Sequence, residues 1–106
     1  MYRQKMPQVP HTARSKAMHP ELVGARLRLL REAANLSAAE ICRTLEINKS
    51  SYSLFEQGKR VVPEYVKVRL AEFYGTTLDY LTLGRASEQE VQSLLGRLRQ
   101  REVQKR

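Results

Sequence analysis

The chain has 106 residues, a formal net charge of +8, one cysteine and no tryptophan. That length holds one small domain with a modest core, and the lone Cys42 excludes an intrachain disulfide and a cysteine-based zinc site. The basic excess favours a polyanionic partner, while no apolar run is as long as a membrane span or a signal-peptide core.

The excess charge is uneven: +4 in residues 1–19, +1 in 20–84 and +3 in 85–106. Residues 1–19 hold Pro7, Pro10 and four basic side chains without an acid, and read as a flexible basic arm. Such an arm either solubilises the chain or tracks phosphate and a neighbouring minor groove. His11 and His19 have no carboxylate or cysteine at ligand spacing, so they carry no metal or catalytic expectation.

Pro20 and Glu21 open a first helix, with Pro tolerated in the first turn and the acid favoured near the positive end. Val23, Leu27, Leu30 and Ala34 predict its buried stripe, and Arg26, Arg28 and Arg31 look outward or sideways. Gly24 costs a helix about 1 kcal/mol against Ala and so points to close packing. Asn35 closes the helix by taking the left-handed conformation.

Ser37 followed by Glu40 is a capping box that starts a second helix. Ala39, Cys42 and Leu45 fall on one face of it, with Ile41 beside them. Glu46 and Ile47 break the helix, and Asn48 is a second N-cap. Tyr52 and Phe55 repeat the inward face of a third helix, which Gly58 ends. Two short helices joined by so tight a bend make a helix-turn-helix unit. Its outward face carries Lys49, Ser50, Ser53 and Leu54, and a protruding helix of this size fits the DNA major groove. The same side chains would also make an ordinary solvated face.

Lys59 and Arg60 form a basic loop before Pro63 starts a fourth helix, whose expected inner stripe is Val62, Val66, Leu70 and Phe73. Thr77 caps a fifth helix over 78–83, with Leu78 and Leu81 closing the core and Gly84 ending the unit. Ser87 and Glu90 form another capping box, opening a last helix with Val91, Leu94, Leu95 and Leu98 on one face. That stripe either packs on its own core or meets its copy in a second subunit, and a membrane-surface helix is a third reading.

Residues 22–60, LVGARLRLLREAANLSAAEICRTLEINKSSYSLFEQGKR, and 69–84, RLAEFYGTTLDYLTLG, resemble the phage repressor and Cro-type (XRE family) helix-turn-helix proteins. The resemblance implies an all-α, five-helix lambda-repressor-like domain over 20–84, with 38–45 as supporting and 49–56 as recognition helix. The basic arm (1–19) and an extra amphipathic C-terminal helix (85–106), a candidate dimerisation element, lie outside it. It also implies base contacts by Lys49, Ser50, Ser53 and Leu54, phosphate contacts by Ser37, Ser51, Lys59 and Arg60, and a bracing Arg31–Glu56 salt bridge. Two departures stand out: Ala38 replaces a phosphate-reaching Gln, and Glu46 replaces the Gly of the turn.

The expectation is therefore a sequence-specific DNA-binding transcriptional regulator of repressor type. It binds double-stranded DNA as a homodimer in the cytoplasm, associated with the nucleoid when bound, with no membrane partner, cofactor or metal. The competing reading keeps the fold for protein interaction, as an antitoxin or anti-repressor adaptor. An enzyme is not expected, because no nucleophile–base set and no Gly-rich phosphate loop occurs.

Overall fold

A computed structural model describes residues 18–105, and among these the chain is all-helical, with six helices and no strand. They are α1 (Pro20–Ala33), α2 (Ala38–Leu45), α3 (Lys49–Gln57), α4 (Glu64–Tyr74), α5 (Leu78–Leu83) and α6 (Glu88–Lys105). The proposed arm falls mostly on residues 1–17, outside the described ones. Met18 lies just ahead of α1, and His19 is the α1 N-cap, its carbonyl accepting from Leu22 and Val23.

Local chemistry sets nearly every boundary. Ser37 Oγ accepts from the Glu40 N–H at 3.0 Å and Glu40 Oε1 accepts from the Ser37 N–H at 2.8 Å, completing the box before α2. Ser87 and Glu90 repeat the arrangement before α6. Asn48 and Thr77 cap α3 and α5 by accepting from Ser51 N and Tyr80 N. At the other ends, Asn35 (φ 56°) and Glu46 (φ 57°) are the two non-glycine residues in the left-handed region among the described residues.

One core runs through all six helices. Val23, Leu27 and Leu30 of α1 meet Ile41, Tyr52, Phe55, Val66, Leu70 and Leu81, and Leu94, Leu95 and Leu98 of α6 belong to the same buried cluster. The apolar stripe of α6 is thus covered by its own chain. Arg26 of α1 donates to the Leu81 and Thr82 carbonyls at 3.0 and 3.2 Å, holding the end of α5.

Several sequence expectations change in the packing. Tyr74, not Phe73, fills the deep position of α4; Phe73 is half-buried and serves as a platform for Arg101 of α6, which stacks on its ring and donates to its carbonyl. Tyr80 replaces Leu78 beside Leu81. In α2 the inward pair is Ile41 and Cys42, with Ala38 and Leu45 at the edge of the core rather than Ala39. Ala34 is the half-buried C-cap of α1 and packs only at the core's margin.

Gly24 sits where α1 crosses α3. A Cβ built there would lie 2.6 Å from the Glu56 carbonyl oxygen and closer still to that of Phe55, both rigid helical backbone. Gly24→Ala should therefore destabilise the fold by at least about 2 kcal/mol despite alanine's better helix propensity, read by urea denaturation. Tyr74 is buried with its hydroxyl unpartnered. Removing that oxygen in Tyr74→Phe should raise stability by about 1 kcal/mol, and a loss of similar size in the same assay would show that the hydroxyl is satisfied.

Candidate nucleic-acid interface

The turn between α2 and α3 is built from two residues of unusual burden. Glu46 takes the left-handed conformation while its N–H donates to the Cys42 carbonyl, at a cost of about 1 kcal/mol that glycine would not carry. Ile47 then packs against the core and donates its N–H to the same carbonyl at 2.9 Å. These bonds force the chain around within three residues and aim the start of α3 away from the body.

Tyr52 and Phe55 seat α3, both buried and set edge-to-face with ring centroids 6.5 Å apart. Residues rotated by about 90° or more around the helix from that seat must then face outward. Lys49, Ser50 and Ser53 are exposed, as expected, whereas Leu54 is half-buried at the side of the helix. Ser53 Oγ accepts from the Gln57 amide at 2.9 Å, so Gln57 extends the row Lys49–Ser53–Gln57 by one more turn. Ending the helix at 56 conceals this residue in the sequence, although its spacing of four from Ser53 was legible.

The candidate phosphate contacts fall in two places. Ser51 is half-buried, and its Oγ accepts from Arg60 Nη1 at 3.1 Å, which ties the loop after α3 to the helix. Lys59 is exposed in the same loop, with its N–H on the Leu54 carbonyl. Ser37 stands at the start of α2, where its oxygen is used by the cap but its O–H can still donate. Beneath the turn, Asn48, Ser51, Arg60, Tyr65 and Arg69 line a cleft of about 250 Å³ that also carries Glu46. Arg69 is the residue that motif reading misses: it donates to the Leu45 carbonyl at 3.0 Å and stacks on Tyr65. Both lie on the outer face of α4 at a spacing of four, which was the available signal.

Behind α3 lies the brace. Arg31 Nε and Nη2 donate to the two Glu56 carboxylate oxygens at 2.7 and 3.1 Å, a fork-to-fork pair. Arg31 Nη1 also donates to the Leu36 carbonyl at 2.8 Å, and Tyr52 donates its hydroxyl to Glu56 Oε2 at 2.5 Å. The two charged side chains are only 15% and 11% exposed. The hydrogen bonds that Arg31 donates to the Glu56 carboxylate raise its pKa above the ordinary value, so the guanidinium stays charged. Burial first, and then the bond to Glu56, push the Tyr52 phenol upward; burial does the same to Tyr74 and to the Cys42 thiol.

A short helix fixed from behind, ended by a tight left-handed turn and open on its polar face, defines the motif, and a helix-turn-helix domain family matches residues 22–82, more than half of the chain. The chain belongs to the helix-turn-helix domain family. Comparison with curated proteins and with solved structures returned no match. Family membership suggests a DNA-binding regulator, and the matched residues span nearly all of α1 to α5 while α6 lies outside them. Among the described residues, no helix is long and apolar enough to cross a membrane, and no three metal-ligating side chains gather.

Breaking the brace should cost more than removing it. Arg31→Met strands the Glu56 carboxylate and should destabilise this helix-turn-helix domain by about 3 kcal/mol, whereas Arg31→Met with Glu56→Met should cost clearly less than the sum of the two single changes. Chemical denaturation of the four proteins of the cycle gives the comparison. The tyrosines predict a second effect. With folded pKa values raised above the ordinary 10, Tyr52 and Tyr74 contribute stability that is intact below about pH 10 and lost as the pH rises beyond it. A melting temperature that falls steeply above that pH, less so in Tyr52→Phe relative to its own neutral-pH value, is the expected result.

Proposed function

We propose that this protein is a sequence-specific regulator of transcription, of the repressor and Cro (XRE) type, that places α3 in the major groove of double-stranded DNA. The observation that carries this reading is the split of α3 into two faces. Tyr52 and Phe55 are locked into the core while Lys49, Ser50 and Ser53 are exposed, a polar face that packs against no other helix among the described residues.

In this reading Lys49 addresses guanine acceptors, Leu54 gives edge contact to a thymine methyl, and the two serines discriminate weakly. Gln57 adds an amide at the far end of the row. Arg60, Lys59, Ser51 and Ser37 hold phosphates and set the register, with Arg69 placed to join them. With only one long basic side chain aimed at bases, much of the affinity comes from phosphates. Glu46 opposes it, being a negative charge beside the turn. Two copies on half-sites about one helical turn apart would supply the specificity that one short row lacks. The setting is the cytoplasm of a bacterium, for a bacterial or a phage protein, with nucleoid association when bound, and the reading includes no catalytic step and no cofactor.

Selection from a random duplex pool gives the site, and titrations at several salt concentrations on that site and on random DNA test the roles. Lys49→Ala should lower specific affinity about fivefold to tenfold and leave random-sequence binding nearly unchanged. Arg60→Ala should weaken both alike and reduce the salt slope by about one. No retardation of any duplex at low salt, together with recovery of one stoichiometric protein partner, would replace this reading by the adaptor or antitoxin one.

A further inference from the structure

Among the described residues, five large apolar side chains are exposed. Val61 and Tyr65 border the basic loop and cleft beside α3, where the DNA reading already places contacts. Met18 precedes α1, and the remaining two, Leu22 (44% exposed) and Leu29 (39%), lie on α1 itself. Leu22, Ala25 and Leu29 are separated by three and four residues, so at 100° per residue they form one line. That line is opposite the buried side of α1, which carries Val23, Gly24, Leu27 and Leu30. It faces away from the domain. The other apolar helix face suited to a partner, the stripe of α6, is spent within the chain.

We infer that this outer face of α1 is the contact with a second copy of the chain, α1 lying antiparallel to its partner about a twofold axis near Ala25. The charges beside the stripe select the partner and the direction. Glu21 and Arg28 lie seven residues apart, on one edge of the stripe. A twofold axis midway between them puts each Glu21 opposite the partner's Arg28, so the edge is complementary to itself. Among the described residues these side chains form exposed pairs, Glu21 with His19 and Arg28 with Glu32, which are weak enough to exchange. A parallel pairing would instead call on Arg26, already bound to the Leu81 and Thr82 carbonyls. Ala25, small and close to the axis, lets the two backbones approach.

The contact is small. Two leucines and an alanine on each side fall short of the roughly 800 Å² per partner of a standard interface, so the dimer is weak in free solution. It rests on the DNA reading only for its use, the joining of two copies of the domain, and it is measured without DNA, so either reading can fail alone.

Sedimentation equilibrium of the full chain from about 1 μM to about 1 mM tests it, the range in which a small interface dissociates. Wild type should pass from monomer to dimer. Glu21→Arg and Arg28→Glu should each weaken dimerisation about tenfold, because symmetry turns two attractions into repulsions. The double swap should restore it, and Leu29→Glu should abolish it while circular dichroism stays that of the folded protein. A monomer at every concentration overturns the inference, whether the stripe is bare, covered by residues 1–17 or kept for a different protein. A dimer indifferent to Leu29→Glu, or a double swap that fails to rescue, overturns it as well.

Discussion

The structure depends on one carboxylate. Glu56 sits on the inner side of α3 and receives hydrogen bonds from Arg31 of α1 and from Tyr52, one turn earlier on its own helix. Arg31 in turn holds the Leu36 carbonyl just before α2. α1, α3 and the segment before α2 are thereby fixed around one charge. A buried pair of this kind contributes little net stability, since desolvation offsets most of the attraction. Its consequence is geometric: with both carboxylate oxygens in use, α3 cannot rotate about its axis without stranding a charge.

Close backbone approach has the same effect by steric means. Gly24 lets α1 ride directly on the last turn of α3, and Glu46 accepts a left-handed conformation so that α2 and α3 can turn sharply. Both positions spend local stability on a fixed crossing of helices. Rotation, approach and exit direction of α3 are then all determined, and a row of side chains read against a base edge needs all three.

The two outer surfaces of the domain differ in chemistry. Around α3 the exposed groups are Lys49, hydroxyls, an amide and the loop cations, arranged over a cleft with two arginines at its wall. The outer face of α1 is apolar with paired charges of opposite sign on its edge. The first suits a solvated polyanion, which rewards cations and tolerates water. The second suits a dry protein contact. α6, outside the residues the family matches, adds Leu94, Leu95 and Leu98 to the shared core.

The helices and their ends were written in the chain itself. Ser37 with Glu40, Asn48, Thr77, and Ser87 with Glu90 act over three residues, so the cap is settled before any distant contact forms. The inward pair Tyr52 and Phe55, and the close-packed role of Gly24, followed from the same short-range logic. The tertiary structure decided what lies a rotation away. Neighbours on a helix are 100° apart, so Phe73 and Tyr74, or Leu78 and Tyr80, compete for one core position, and only the surrounding helices choose between them. The leucines of α6 show the same division: their spacing made an apolar stripe, and the arrival of α6 on the shared core made it an inside rather than an interface.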